Sequence, residues 1–388
     1  MNTKKLTLFA FLFVITVLIV GFSACDRISQ IVQPTTPQMT EGSAEIAIGV
    51  VLPLTGRLTD SFAIPISQGF ELALGEINAA PPAGAELRLI IEDDQSTIEG
   101  AVAAFNKLTQ QEGVSVILGP ATSSQTEMAF PIAQENQVVA ISPTSSARGL
   151  SALGDFVFRV ALTTDVLIPA GIAATQTKLG YQRAATLYDE TDLFSTDGDA
   201  AVREVLAANG VEVVITETFK GGDTDFSEQL TRIQAVEPDV IFVSSLSPEK
   251  PGILTQGSEL GISAPFILRT LTADDVQAAG AAAEGAITFV GWSAGVDTPG
   301  NQAFVENYSA KFGMAPNNYA ARSYTTLQLL AAAMVKALST DAAAIRDALA
   351  SIKDFDTIFG KFSFDANGDA VYDPKILVVK DGELVLFE

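Results

Sequence analysis

Residues 114–146 read VSVILGPATSSQTEMAFPIAQENQVVAISPTSS and contain the same local pattern twice. Each half begins with a short apolar, β-branched run, at 114–118 and again at 138–141, which is typical of a strand buried on both faces. The helical segment between them places Met128, Ala129, Ile132 and Ala133 on one side, and Pro131 is expected to kink it or cut it short. The stretch therefore predicts two neighbouring parallel strands whose loops open at one edge of a sheet.

Hydroxyl side chains follow both predicted strands. The seven residues are Thr122, Ser123, Ser124, Ser142, Thr144, Ser145 and Ser146. Ligands of parallel α/β sheets bind outside the carboxyl ends of the strands, where adjacent loops diverge. Amides at a helix start, together with Ser and Thr hydroxyls, bind an anion without any fixed positive charge. Each hydroxyl could equally be an ordinary helix cap, but two such loops in tandem favour a site for a small carboxylate.

The composition excludes several classes of function. The 388 residues are 48% hydrophobic, which is enough for a large core and suggests two or three domains. A net charge of −23 argues against nucleic-acid binding, because phosphate contacts need clustered Lys and Arg. There is no histidine, and Cys25 is the only cysteine, so histidine-dependent catalytic sets, His-based zinc sites and internal disulfides are impossible. We therefore expect a protein without cofactor or metal, and not an enzyme.

The first 43 residues have the pattern of an export signal followed by a tether. Residues 1–24 combine two lysines, an apolar run and small residues before Cys25, as secretory signals do. Cys25 resembles the lipid-modified cysteine of a bacterial lipobox, although Phe22 stands where leucine is usual. An uncleaved anchor is the alternative, because the apolar run approaches the roughly 20 residues that span a membrane. Residues 25–43 are rich in Pro, Thr, Gln and Ser and predict a flexible tether to an extracytoplasmic, membrane-anchored body.

Strands and helices alternate from residue 44 onward. The first half predicts strands at 46–52, 87–91, 114–118 and 138–141 and helices at 66–77 and 98–111. After Arg159 the alternation restarts, with strands at 184–188, 211–215, 240–243, 266–268 and 286–290 and helices at 200–209, 226–233 and 252–261. The order β-α-β-α-β is that of a doubly wound sheet, so two halves predict two α/β lobes.

The ordered set of segments resembles a known family. The segments are IAIGVVLPLTG (46–56), GFELALGEIN (69–78), LIIEDDQS (89–96), VILGPATSSQT (116–126), VVAISPTSS (138–146), FRVALTTD (158–165) and FSFDANGDA (362–370). They resemble the branched-chain amino-acid (Leu/Ile/Val) receptors of ABC transporters, which have the type I periplasmic-binding-protein fold. The resemblance implies two Rossmann-like lobes, a ligand cleft between them, and three hinge crossovers near Thr163, Trp292 and Phe362.

The resemblance also assigns residues to lobes and to the ligand. Lobe 1 would comprise 44–162 and 292–362, with late helices at 303–312 and 320–338, and lobe 2 would comprise 163–291 and 363–388, ending in a β-rich tail. The implied ligand-binding residues are Ser123, Thr144 and Ser146 for the carboxylate, Phe62 and Tyr319 as aromatic walls, and Phe194 in the loop that closes over the ligand. The two walls could also be ordinary packing residues.

Two positions depart from the family pattern. The family's second-lobe acid, which pairs with the ligand ammonium, aligns to about Thr270, and another family aromatic aligns to about Leu246. If the ligand is an α-amino acid, another carboxylate must meet the ammonium, because an unpaired buried charge is costly. We nominate Asp192 for this role. The alternative is a ligand without an ammonium, such as an amide, a urea-like compound or a simple carboxylate.

By resemblance, the expected function is capture of a small amino acid, branched-chain or similarly aliphatic, and its delivery to the permease subunits of an ABC importer by hinge closure. One alternative is a ligand-sensing receptor on the same fold. A carboxylate-only hydrolase is another, for which Asp93–Asp94 is the only suggestive doublet, although strand-end loop residues explain it equally. The DANGD sequence at 365–369 predicts an Asn-Gly hairpin turn, because it lacks the closing Glu of a calcium loop.

Overall fold

Two α/β lobes make up residues 45–388, the part of the chain that this computed structural model describes. The predicted signal, the lipid attachment at Cys25 and the tether lie outside the described residues. The strands are β1 (Glu45–Leu52), β2 (Glu86–Asp93), β3 (Val116–Leu118), β4 (Val139–Ser142), β5 (Val157–Arg159), β6 (Arg183–Asp189), β7 (Glu212–Phe219), β8 (Val240–Ser244), β9 (Phe266–Arg269), β10 (Ile287–Val290), β11 (Phe355–Thr357), β12 (Gly360–Phe364), β13 (Ala370–Val371), β14 (Lys375–Lys380) and β15 (Glu383–Leu386). The helices are α1 (Ile64–Asn78), α2 (Ile98–Gln110), α3 (Ser123–Glu135), α4 (Thr164–Leu179), α5 (Leu193–Ala208), α6 (Ser227–Ala235), α7 (Lys250–Glu259), α8 (Ala273–Ala279), α9 (Asn301–Phe312), α10 (Asn318–Ala337) and α11 (Ala342–Ala350).

The sheet of lobe 1 is entirely parallel, in the order β2-β1-β3-β4-β5. Alternate residues of β1 enter different hydrophobic clusters: Ile48 and Val50 belong to one, and Val51 belongs to the other. Helices therefore cover both faces of the sheet, which explains why its strands read as unbroken apolar runs.

The sheet of lobe 2 repeats this topology. Its parallel strands lie in the order β7-β6-β8-β9-β10, and β14 and β15 extend it as antiparallel strands beyond β10. Each lobe thus has the doubly wound order 2-1-3-4-5, in which the strand order reverses between the first and third strands. The predicted fold class is confirmed, and the tail joins the second sheet at Lys375.

The chain passes between the lobes three times. It leaves β5 for α4, which packs on α5 and β10, and it leaves β10 for α9 and α10, which pack on α1. The third passage follows β13, which belongs to a small antiparallel sheet with β11 and β12. The turn between β12 and β13 is the predicted hairpin: the Asp365 amide donates to the Asp369 carbonyl. The Asp369 carboxylate pairs with the buried Arg159 at 2.6 Å and so ties this turn to the end of β5.

Helix α10 crosses α1 at very short range, because α1 carries Gly69 at the contact. A Cβ on Gly69 would lie 2.1 Å from the Ser323 hydroxyl oxygen and 2.3 Å from the Ala320 carbonyl oxygen. Only glycine therefore fits there. The contact fixes the start of α10 against lobe 1, and residues near that start line the cavity described below.

Two details of the prediction for α3 are corrected. Of the two outcomes expected at Pro131, the cut is wrong, because the helix continues to Glu135 and the carbonyl that loses its partner belongs to the exposed Glu127; the kink stays a prediction. Met128 does not share the buried face with Ala129, since half of its surface is exposed and Phe130 is buried instead.

Within residues 45–388, no single helix is both long enough and apolar enough to cross a membrane, and only α10 and α11 taken together, bent by 109°, meet both criteria.

Candidate functional site

A narrow cavity lies between the lobes, at the carboxyl ends of strands from both sheets. Its lining residues are Phe62, Ala121, Thr122, Ser123, Thr144, Phe194, Leu246, Thr270, Tyr319 and Arg322, and the volume enclosed between the meeting lobes is about 10 Å³, the space of one water molecule. The residues after β3 and β4 and those of α10 come from lobe 1, and the residues after β6, β8 and β9 come from lobe 2. The cavity therefore lies at the edge of each sheet where α/β proteins bind ligands.

The three hydroxyls of lobe 1 that line the cavity, those of Thr122, Ser123 and Thr144, are held by bonds within that lobe. Thr122 caps α3 in a capping box with Gln125, so its side chain is committed to the helix start. The Ser123 hydroxyl oxygen accepts the amides of Ser146, at 3.3 Å, and Ala147, at 3.2 Å. Thr144 donates its hydroxyl to the Ala121 carbonyl. The two loops are thus fixed to each other, and the hydroxyl proton of Ser123 remains available to a ligand oxygen.

Aromatic rings form the walls of the cavity. Phe62 stacks on Tyr319 with ring centroids 4.5 Å apart and an angle of 27° between the planes. The Tyr319 hydroxyl lies 3.3 Å from the Ser247 hydroxyl of lobe 2, and burial raises the pKa of Tyr319 well above its ordinary value, so the phenol is neutral. Phe194 enters from lobe 2 and lies against the guanidinium of Arg269, 4.0 Å from its ring centroid.

One buried arginine, Arg322, lines the cavity and a second, Arg269, lies behind Phe194; the two differ in their bonding. Arg269 donates to the Phe194 carbonyl at 2.7 Å and to the hydroxyls of Thr164 and Ser146 at 3.0 and 3.3 Å. Burial lowers the pKa of Arg269 to about 10, so it remains charged at neutral pH. Arg322 lines the cavity, is only 2% exposed, and its Nε and Nη2 have no hydrogen-bond partner among the described residues.

The structure brings most of the predicted ligand residues together. Phe62, Ser123, Thr144, Phe194 and Tyr319 all line the cavity. The other two, Ser146 and Asp192, lie beside it with their polar atoms engaged elsewhere.

The polar atoms of Asp192 and Ser146 bond to other protein groups. Asp192 is the N-cap of α5: one carboxylate oxygen accepts the Ser124 hydroxyl at 2.9 Å, and the other accepts both the amide and the hydroxyl of Ser195. Burial raises the pKa of Asp192. Ser146 donates its amide to Ser123 and accepts from Arg269.

Polar pairs join the lobes around the cavity. Arg57, in the loop after β1, pairs with Glu249 of lobe 2 at 2.7 Å, and the same carboxylate oxygen accepts the Gly222 amide at 2.9 Å. Arg148 pairs with Asp197 of α5 at 2.7 Å. Ser124 adds its hydroxyl bond to Asp192. The lobes are therefore in direct contact in this structure.

The acidic doublet Asp93–Asp94 holds a loop and does not line the cavity. Asp93 accepts the amide and the hydroxyl of Thr55, and Asp94 accepts the Ser96 amide at 2.8 Å. Burial raises the pKa of Asp94 to about 6. Desolvation also acts on Asp93, but the bonds from Thr55 and Gln95 outweigh it and lower its pKa. Among residues 45–388 no group of three or more acidic side chains is arranged to hold a metal ion.

Sequence reasoning missed Arg322 altogether. The available signal is a single basic residue in the otherwise apolar and small-residue stretch that begins α10, YAARSYTTLQLLAAA (319–333). A lone arginine in a buried helix has to find a counter-ion, a snorkelling path to water, or a ligand.

Comparisons with known proteins agree with this geometry. The model of a periplasmic binding protein family matches residues 45–383. An amino acid binding protein of Pseudomonas aeruginosa is 30% identical over 342 residues, which cover 85% of this chain and 88% of the relative.

Two solved structures have the same fold. A branched-chain amino acid transporter substrate-binding protein of Streptococcus pneumoniae, solved with isoleucine, is 28% identical, with a TM-score of 0.82 over 88% of this chain and 97% of its own. A leucine-binding protein of Thermotoga maritima is 25% identical, with a TM-score of 0.83 over 88% of this chain and 98% of its own.

Proposed function

Because the chain belongs to the periplasmic binding protein family, we propose that it is the extracytoplasmic solute-binding component of an ABC importer. It captures a small amino acid or a related carboxylate between its lobes and presents it to the permease subunits. The observation that carries this proposal is the cavity itself, which is built from the strand-end loops of both lobes. A ligand enclosed there contacts both lobes at once.

We assign the carboxylate of the ligand to the lobe 1 side. The free hydroxyl proton of Ser123 and the amides that begin α3 favour an anion, since a helix start carries partial positive charge. Thr144 and Ser146 position these groups through their bonds to the neighbouring loop. Phe62 and Tyr319 contact the body of the ligand from one side.

Lobe 2 completes the enclosure. Phe194 and Leu246 present apolar surface to the cavity. Asp192 remains our candidate partner for an ammonium group; to act, it would have to exchange one of its present hydrogen bonds.

Capture proceeds by hinge closure. A ligand seated on lobe 1 gains the contacts of lobe 2 only when the lobes meet, so it shifts the population toward the closed form. The Arg57–Glu249 and Ser124–Asp192 contacts form at the same step, because their partners lie on opposite lobes. The permease then recognises the closed form.

The lobe boundaries and the membrane anchor belong to the same proposal. The predicted boundaries place 44–162 and 292–362 in lobe 1 and 163–291 and 363–388 in lobe 2. We move the last of them to the end of β13, because β13 pairs with β12 and Asp369 pairs with Arg159 of β5. Lipid modification of Cys25 holds the body at the membrane. Mass spectrometry of the mature protein tests the modification, and Cys25→Ser is expected to move the protein to the soluble fraction.

Isothermal titration and thermal shift with leucine, isoleucine, valine and related acids and amides test the proposal. A true ligand is expected to stabilise the fold by about 2.7 kcal/mol at a hundredfold excess over Kd. Ser123→Ala is expected to weaken binding about tenfold, because it removes one hydroxyl bond worth about 1–2 kcal/mol. Ser258→Ala, on the exposed side of α7, is the matched control. Absence of any binding, or equal affinities for the two variants, would contradict the proposal.

A further inference from the structure

Arg322 is the only charged side chain among the described residues that line the cavity. It is almost fully buried, and two of its guanidinium nitrogens have no partner within the described chain. A buried charge without a partner is strongly unfavourable, whereas a guanidinium matches the two oxygens of a carboxylate. The cavity therefore holds an incomplete ion pair.

The carboxylates nearest to the cavity already have partners of their own. Asp275 accepts the amide of Thr272 and the hydroxyl of Ser247. Glu249 pairs with Arg57, outside the lining. Among the described residues, no carboxylate lies within 4 Å of the Arg322 guanidinium, and its neighbour of opposite polarity is the neutral hydroxyl of Tyr372.

The part of the cavity that lobe 2 lines, at Phe194, Leu246 and Thr270, carries no acidic side chain. Thr270 lines the cavity at the end of β9, and its carbonyl accepts the ammonium of the buried Lys250 at 2.9 Å. An amino acid in this cavity would thus bring a positive charge next to Arg322, with no lining carboxylate to balance it. A ligand with a single negative charge would leave the cavity neutral.

We propose, on the basis of the function proposed above, that the ligand is a small monocarboxylate without an ammonium group, a 2-oxo acid or an unsubstituted carboxylic acid, and that Arg322 is its counter-ion. Ser123 and the first amides of α3 bind the same carboxylate, which Arg322 contacts from α10. The stacked pair of Phe62 and Tyr319, together with Leu246, presents apolar surface to the body of the ligand.

Titration with ligands of one shape but different charge tests the ligand class separately from the solute-binding function on which this proposal rests. The probes are L-leucine, 4-methyl-2-oxopentanoate, 4-methylpentanoate and 4-methylpentanamide, which share one carbon skeleton and differ in charge. The full chain in detergent is expected to bind at least one of the two acids at least tenfold more tightly than leucine and the amide.

Arg322→Met removes the charge at similar volume and is expected to weaken binding of that acid at least fiftyfold while changing affinity for the amide less than fivefold. Arg322→Lys is expected to restore part of the loss. Arg232→Met, which breaks an exposed pair on lobe 2, is the control.

Tighter binding of leucine or of the amide than of both acids overturns the proposal and leaves the solute-binding function intact. An equal loss for acid and amide in Arg322→Met, with unchanged circular dichroism and melting, also overturns it. Absence of binding by every member of the wider panel overturns the function itself and the proposal with it. If Arg322→Met fails to fold, the wild-type comparison of acid, amide and amino acid still decides the matter.

Discussion

Replacement of Arg57 by methionine is expected to weaken ligand binding about thirtyfold while leaving the ligand-free fold intact. Arg57 and Glu249 meet at 2.7 Å from opposite lobes, and their side chains are 37% and 2% exposed. Exposed pairs contribute about 0–1 kcal/mol, whereas removal of one partner from a buried pair costs about 3–5 kcal/mol. This half-buried pair lies between those limits, at about 2 kcal/mol, which corresponds to about thirtyfold in affinity.

Loss of the Arg57–Glu249 pair destabilises only the closed form. When the lobes separate, the Glu249 carboxylate regains water, so only the closed form retains a buried acid without its cation. Burial already raises the pKa of Glu249, and Arg57 opposes that rise. A ligand that binds the closed form must therefore supply the additional free energy, and its apparent affinity falls by the same factor.

Isothermal titration of Arg57→Met, Glu249→Gln and the double variant measures the coupling between the two side chains. Small-angle scattering with and without ligand reports closure directly. Arg232→Met is the control, because Arg232 pairs with Glu217 inside lobe 2 at 2.8 Å. If Arg57→Met binds ligand as tightly as Arg232→Met, the pair does not stabilise the closed form and the reasoning is wrong.

Three further predictions concern packing, pH and specificity. Gly69→Ala is expected to cost at least 2 kcal/mol in chemical denaturation, because its Cβ would meet the backbone of α10, whereas Gly75→Ala, in open space on the same helix, should stabilise by about 0.5–1 kcal/mol. Burial raises the pKa of Asp94 from 3.8 to about 6, so the folded protein binds this proton more tightly than the unfolded chain, and the associated stability is lost as pH rises through 4–6. Asp94→Asn should therefore lose less stability than wild type between pH 4 and 7, by about 2 kcal/mol, and parallel pH curves from denaturant titrations would contradict this. Arg322→Leu combined with Thr270→Glu should change the preference of the cavity from carboxylic acids to leucine, as measured by titration calorimetry. Position 270 has a φ of 54°, which is less unfavourable for unbranched Glu than for β-branched Thr, so the substitution should add no backbone strain.

Most strands of the two central sheets were predictable from the sequence, because both sheet faces are buried and these strands appear as short apolar runs. The three-residue edge strand β5 was not predicted, since it is too short to show such a run. Helix α4 was not predicted, because its sequence lacks a clear apolar pattern. Its buried residues, among them Leu167, Ile168 and Ile172, are interrupted by Pro169 and show no clear one-sided pattern. Helix α5 begins at Leu193 and not at residue 200, because the side chain of Asp192 caps it, a start signal that hydrophobic periodicity does not register.

The site was partly predictable for a related reason. Ser123 and Thr144 follow consecutive strands, and parallel topology brings such loops together. Arg322 was not predictable, because a long side chain on a helix can reach water or turn inward, and only the packing of α10 on α1 decides between the two. Asp192 was expected to face the ligand, and the role of that residue stays a prediction. In the structure its oxygens accept bonds from Ser124 and Ser195.

The two sides of the cavity differ in how they are built, and this difference suggests how specificity is set. On the lobe 1 side, the hydroxyls of Ser123 and Thr144 and the amides bonded to Ser123 are fixed by bonds within the lobe, so the anion site exists before any ligand arrives. On the lobe 2 side, Phe194 and Leu246 contribute apolar surface that excludes water once the lobes meet. Closure therefore strengthens the electrostatic interactions of whatever charge lies in the cavity, because the surrounding dielectric falls. A single buried side chain such as Arg322 can then select among ligands of the same shape, without any change in the loops that define the fold.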